Sequence, residues 1–243
     1  MRLPVNLTRC YDDDLAVRGL HTVEDLPRLF AESAPVYART VGAWLPQVRT
    51  ARIFEAACGP GPFLHFLKQA GYLNVQGTDT SAPAVHLAQA AGLPARQADS
   101  IKEIRETVSD SLDAVVAIDF IEHLPRSTFL DFLDGAFRAL KHGGVLILRM
   151  PNGDSPLGTR NLFNGITHEW AYTSTAMKAL AAAAGFSRTD FADDTVAGLR
   201  KLRWLKAPVM LALQALIRGL VRAATRERID HFGSSLYVAA WKD

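Results

Sequence analysis

Apolar and polar residues along the chain follow two alternating periods. Short apolar runs bounded by turn residues predict strands at Arg52–Ala57 (RIFEAA), Asn74–Thr78, Ala95–Ala98, Leu112–Ile118 (LDAVVAI) and Val145–Met150. Helical spacing predicts helices between them. One runs over Pro62–Ala70, and a second is capped by Ser81 and runs through Ala91. A third opens on the capping box Ser100-Ile-Lys-Glu103. A fourth spans Ser127–Leu140, with Phe129, Leu130, Leu133, Phe137 and Leu140 on one face and His142-Gly-Gly144 as its stop. Thr173 caps a helix through Ala184, closed by Gly185; Phe186–Phe191 and Leu236–Trp241 have strand composition. Ahead of the first strand, Thr22–Asp25 reads as a capping box opening a helix through Phe30, and a second helix runs from Pro35 to Trp44.

Strands separated by helices imply right-handed crossovers, hence a doubly wound, mostly parallel α/β sheet with helices on both faces. Such sheets bind ligands beyond the carboxyl ends of their strands, where strand order reverses. The expected organisation is a helical lid over 1–50, an α/β core over 51–195, a basic amphipathic helical insertion over 196–232 and a final core strand in 233–243.

Composition narrows this little. About half of the 243 residues are apolar, enough for a sizeable core. A net charge of +2 gives no reason to expect a nucleic-acid partner. Cys10 and Cys58 are far apart, which excludes a disulfide framework and fits a reducing, cytoplasmic setting. No signal peptide is expected, because MRLPVNLTRCYDDD has no apolar stretch before its acidic run.

The chemistry gathers at strand ends. Glu55 lies in the first strand, Gly59 and Gly61 make the turn after it, and Asp79 ends the second strand. Asp99 follows the third strand, and Asp119-Phe-Ile-Glu-His123 follows the fourth. Glycine in the turn lets a ligand approach backbone without a Cβ in the way, and a carboxylate at Asp79 can accept both hydroxyls of a ribose. A dinucleotide needs a third glycine where this chain has Leu64, and Glu55 would set negative charge beside its phosphates. S-adenosylmethionine has no phosphate and tolerates both features.

The order EAACGPG, TD, AD, LDAVVAIDFIEHL and LKHGGVLILRMPN resembles class I S-adenosylmethionine-dependent methyltransferases over about 45–195. The resemblance implies a seven-stranded sheet whose last strand is antiparallel, with S-adenosyl-L-methionine as cofactor. It places Glu55, Gly59 and Gly61, with Ala57 between them, against the amino-acid part of the cofactor. It gives Asp79, with Thr80, the ribose, Asp99, with Ser100, the adenine, and Asp119 and Phe120 the methionine end. Residues Asn161–Phe186 resemble a bacterial subgroup that methylates sugars, glycolipid precursors or small hydroxylated metabolites, so a small-molecule, sugar or lipid-linked acceptor methylated on oxygen is expected.

His168 is the first candidate for a general base and His123 the second; for each the alternative is a packing role. Trp170 and Tyr172 are expected to close the pocket, and Tyr11 to reach the ligand from the lid. No metal is required by this reading. Between Arg200 and Arg228 stand eight basic residues and one acid, a net +7 that leaves −5 on the rest. Leu213, Leu216, Ile217 and Leu220 form a stripe beside Arg218, Arg222 and Arg226, which suits a peripheral contact with an anionic membrane. The alternative is a core-packed or homodimer-forming helix. The run Pro208–Val221 reads as too short to cross a bilayer. Two other functions fit the fold: a non-catalytic membrane-surface or partner-binding module, and an NAD-dependent oxidoreductase.

Overall fold

The computed structural model describes residues 15–194, 203–226 and 228–243. Tyr11 and Cys10, with Arg200, Lys201 and Glu227 of the basic segment, lie outside the described residues. In chain order the elements are α1 (Leu26–Thr40), β1 (Arg52–Ala56), α2 (Pro62–Gln69), β2 (Asn74–Asp79), α3 (Ala82–Ala90), β3 (Ala95–Gln97), α4 (Ser100–Glu106) and β4 (Leu112–Ile118). There follow α5 (Arg126–Ala139), β5 (Leu140–Pro151), α6 (Gly158–Asn164), α7 (Ser174–Ala183), β6 (Arg188–Asp193), α8 (Arg203–Thr225) and β7 (Ser235–Trp241).

The strands form one seven-stranded sheet in the order β3-β2-β1-β4-β5-β7-β6. Strands β1 to β5 pair in parallel, and β7 runs antiparallel between β5 and β6. Order reverses between β1 and β4, so the turn after β1 and the turn after β4 share one crevice. Strand β4 is buried on both faces, as its unbroken apolar run requires. One face carries Phe129, Phe132 and Leu133 of α5 and Met177 of α7. The other carries Tyr37 of α1, Val41, Leu45, and Phe63 and Leu67 of α2. The segment expected as a lid thus contributes α1 to a layer on the sheet.

Several expected boundaries move: the helix expected to reach Trp44 ends at Thr40, and the strand expected over Phe186–Phe191 spans Arg188–Asp193. Thr22–Asp25 does make a capping box, but it opens on a 3-10 turn, and α1 then runs unbroken to Thr40 through Pro35. An interior proline costs about 3 kcal/mol, and burying side chains such as Leu26, Phe30 and Tyr37 contributes about 1.5–3 kcal/mol each. Asp99, not Ser100, caps α4, its carboxylate accepting from the Ile101 and Lys102 N–H groups. Helix α5 stops at Ala139, ahead of His142-Gly-Gly144. Leu140 pairs at once with Leu112, and the next partners are Ala114 and Val145, so His142, Gly143 and Gly144 form a bulge inside β5. Helix α6 had no expected counterpart.

Candidate active site at the carboxyl ends of the strands

The turn after β1 is held in a left-handed conformation at three points: Ala57 (φ 53°), Gly59 (φ 52°) and Gly61 (φ 84°). Ala57 is the costly one, because its Cβ crowds the following carbonyl. Bonds from neighbouring strand ends hold it there. The Ala57 N–H donates to Ser100 Oγ at 3.0 Å, Cys58 N–H to the Thr78 carbonyl at 2.9 Å, and Gly59 N–H to Asp79 Oδ2 at 2.8 Å. The other Asp79 oxygen accepts from Ser81 N–H at 2.8 Å, at the head of α3. One carboxylate therefore ties the glycine turn to the next helix.

The glycines differ in use. Among the described residues, a Cβ on Gly59 would meet no atom within 4 Å beyond its chain neighbours, so the space beside it is open. A Cβ on Gly61 would lie 2.5 Å from Leu93 Cδ1, and one on Gly77 would lie 2.8 Å from both Cys58 and Leu64. Gly61 and Gly77 serve close packing, and Gly59 leaves room for a ligand.

Glu55 is buried, and burial pushes its carboxyl well above the usual range, with the Asp79 charge adding to the effect. The Leu64 N–H in the first turn of α2 opposes this by bonding to it. Because the Gly61 N-cap has no side chain, Glu55 supplies the missing cap from β1. It also has one oxygen with no partner. Ser100 is buried under the turn, where its hydroxyl lies 2.8 Å from Thr78 Oγ1; it holds the turn from behind. Asp99 and Thr80 are exposed at the rim.

Opposite the turn, Asp119 also has left-handed backbone (φ 52°). Arg149 of β5 forms an ion pair with its carboxylate and donates to Ser235 Oγ of β7 at 3.1 Å. Phe120 stands edge-on to Phe132, with centroids 5.7 Å apart. Sequence reasoning missed Arg149, although a lone arginine inside the apolar run LILRM was a signal. The positive φ at Ala57 and Asp119 had no signal in residue type. Non-glycine residues held in this region cluster at functional sites.

Beyond Asp119, a 3-10 turn at Ile121–His123 presents Glu122 and His123, and the loop after α6 brings His168 to them. The two rings stack edge-on at 4.7 Å between centroids. His123 Nδ1 lies 2.9 Å from Thr167 Oγ1 and 3.2 Å from the Thr167 carbonyl; His168 Nδ1 lies 3.1 Å from the carbonyls of Asn161 and Leu162. A carbonyl only accepts, so Nδ1 is the protonated nitrogen of each neutral ring and Nε2 carries the lone pair. Glu169 N–H donates to the Glu122 carbonyl at 2.7 Å and fastens the loop. Gly165 leaves room for His168, since a Cβ there would lie 2.6 Å from its Nε2. Glu122 is buried, and burial, reinforced by the Asp119 charge, pushes its carboxyl well above the usual range. Glu122 Oε2, Trp170 Nε1 and Tyr172 Oη are buried polar atoms that find no hydrogen-bond partner among the described residues. Such atoms are scarce in folded proteins, and three of them here mark a place where a ligand's polar groups fit. Arg126 lies 3.8 Å over the Trp170 ring, holding the indole in the wall.

Comparison with known proteins agrees with this geometry. No curated protein matches the chain. A family model described as a methyltransferase domain matches residues 21–189. Among solved structures, a SAM-dependent methyltransferase from Archaeoglobus fulgidus is 20% identical with a TM-score of 0.67, covering 85% of this chain and 93% of its own. A possible histamine N-methyltransferase from Thermotoga maritima is 16% identical with a TM-score of 0.65, covering 98% of this chain and all of its own. Haemonchus contortus phosphoethanolamine N-methyltransferase 2, solved with S-adenosyl-L-methionine, is 16% identical with a TM-score of 0.59, covering 95% of this chain and 60% of its own. With the glycine turn, the acidic strand ends and a family model spanning most of its length, the chain belongs to the methyltransferase domain family.

Proposed function

We propose that the protein transfers a methyl group from S-adenosylmethionine to a hydroxyl oxygen of a small, sugar or lipid-linked acceptor. The observation that carries this is the Asp79 carboxylate bonded to the Gly59 turn, with open space beside that glycine. A carboxylate can accept several hydrogen bonds at once, which is what the two hydroxyls of a ribose ask of it. Asp99 at the rim suits the adenine amino group, and Ala57, Gly59 and Glu55 the amino-acid end. Burial pushes the Glu55 carboxyl up, toward its neutral form, so it weighs less against a phosphate than the sequence suggests. The case against a dinucleotide therefore rests on Leu64, which is fully buried where a third glycine is needed.

When bound, the cofactor supplies an electrophilic methyl group. The protein's part is to place the acceptor in line, an effect that can supply several kcal/mol. Phe120, Trp170 and Tyr172 wall the acceptor side, and the Glu122, His123 and His168 cluster promotes loss of the hydroxyl's proton. Calorimetry is expected to show binding of S-adenosylmethionine and none of NAD. Methyl-labelled cofactor incubated with an extract of the source cells is expected to label one small-molecule or lipid fraction. His168→Ala should bind cofactor as the wild type does and lose turnover by about 10²–10⁴-fold. Equal turnover would remove His168 from the chemistry, and failure to bind the cofactor would leave the non-catalytic module as the better reading.

We also propose that α8 seats the protein on an anionic membrane. Val209, Leu211, Leu213, Leu216 and Leu220 are 52 to 71% exposed, and Gln214 faces the protein, buried. Arg218 is folded back, its Nε–H donating to the Ile229 carbonyl at 3.0 Å, while Arg222 and Arg226 are exposed. The helix is longer than the sequence run suggested: Pro208–Thr225, with mean hydropathy 1.2, has the length and apolar character to cross a membrane. Its arginines and its buried Gln214 favour lying along the surface. Sedimentation with phosphatidylglycerol vesicles should retain the wild type and lose a Leu216→Ser, Leu220→Ser double variant. Equal retention would place the contact elsewhere.

A further inference from the structure

We propose that Glu122, His123 and His168 form a site for a first-row divalent cation, manganese to zinc, that binds the acceptor's oxygen. The assignment of the oxygen rests on the methyl-transfer reading above; the site itself does not.

One ligand atom from each of the three residues lies within 4.8 Å of the others. Ligand atoms around a cation at about 2.0–2.2 Å lie roughly 3–3.5 Å apart, so small side-chain adjustments close the triad. Two features make this a built site. The Glu122 side chain is buried, with one oxygen that has no hydrogen-bond partner among the described residues, an arrangement that costs free energy unless a charge or hydrogen bond meets it. Both histidines bond through Nδ1 to backbone carbonyls, which orients each ring. A carbonyl behind a ligating imidazole is the usual supporting partner of a metal-bound histidine. The backbone adds rigidity, since Glu122 and His123 share one 3-10 turn and Glu169 N–H locks the His168 loop onto it.

Two imidazoles and one carboxylate are the donor set of borderline cations, and three protein ligands leave coordination positions open. A hydroxyl bound there loses its proton more readily, as metal-bound water does. The proton leaves to solvent, the oxygen's electron pair forms the new bond to the methyl carbon, and the carbon–sulfur pair stays on the cofactor's sulfur. In this arrangement the histidines hold the cation, and no side chain has to act as the proton acceptor.

The test titrates Co²⁺ into the chelator-treated full-length protein, followed by visible absorption and calorimetry. One ion per chain is expected, with absorption of nitrogen-ligated Co²⁺ and displacement by Zn²⁺. Affinity should fall at least about tenfold in Glu122→Gln and again in His168→Ala, because losing even a supporting partner costs 10–100-fold. Circular dichroism and S-adenosylmethionine calorimetry on each variant show that fold and cofactor site persist. No saturable Co²⁺ uptake, or uptake equal in both variants, overturns the site. Co²⁺ binding without cofactor binding leaves the site standing and removes the methyl-transfer reading. Methyl transfer that survives chelation at full rate overturns the cation's role in acceptor binding.

Discussion

Asp79→Ala is expected to weaken S-adenosylmethionine binding by two orders of magnitude or more and to loosen the glycine turn. The reason is double use. The carboxylate takes the Gly59 and Ser81 N–H groups, each at 2.8 Å, and faces the place proposed for the ribose. A hydrogen bond to a charged group contributes about 1.5–3 kcal/mol, and tenfold in affinity corresponds to about 1.4 kcal/mol. Losing two ribose bonds alone therefore accounts for about a hundredfold or more. Asp79→Asn separates the two uses. Its carbonyl oxygen can keep one backbone bond, but the charge is gone, so stability should recover more than affinity does. Calorimetry for the cofactor and a thermal scan for the fold measure the two effects. Wild-type affinity in Asp79→Ala would show that the sugar binds elsewhere.

A paired experiment on the two turn glycines should give opposite results. Gly61→Ala forces a side chain to φ 84° and sets its Cβ 2.5 Å from Leu93 Cδ1. Left-handed backbone costs about 1–2 kcal/mol, and overpacking adds about 1–3 kcal/mol. The sum is a large part of the stability of an ordinary domain, and the Tm should fall by roughly 5–15 °C. Leu93→Ala in the same chain should restore only the steric share. Gly59→Ala carries the backbone cost without the clash, because among the described residues nothing beyond its chain neighbours lies within 4 Å of its Cβ. That variant should fold, melt within about 5 °C of the wild type and bind cofactor poorly, its methyl group occupying the open space. A Gly59→Ala protein with unaltered cofactor affinity would mean that this space has another use.

The sheet was legible because its central strands carry short apolar runs closed by turn residues, and LDAVVAI coincides with β4. The cofactor side was legible because glycine and aspartate at successive strand ends are spacing signals. What escaped depends on contacts between distant residues. Nothing near Pro35 announces that Tyr37 will pack against Phe63, the contact that helps carry α1 through a proline. Ser100 and Asp99 are equally good caps on paper; the choice falls to Asp99 because Ser100 is drawn under the turn to Ala57 and Thr78. His142-Gly-Gly144 reads as a stop, but Leu140 is already committed to pairing with Leu112. At the acceptor end, His123 and His168 were each singled out, but the approach of His168 to Glu122 and His123 from beyond β5 and α6 is written only in the fold.

The ends of the excursion that carries α8 are stitched together. Asp193 Oδ2 accepts from Phe232 N–H at 2.7 Å, and Asp194 accepts from Ser235 N–H and Ser234 Oγ, both at 3.1 Å. To the β6–β7 pair, everything between is one hairpin loop of unusual length. Closing a longer loop costs only about 0.6 kcal/mol per doubling, so the framework hardly registers what is threaded there. Evolution can therefore exchange or reshape this appendage without retuning the sheet that carries the glycine turn, and an engineer can graft a different segment onto the same α/β body.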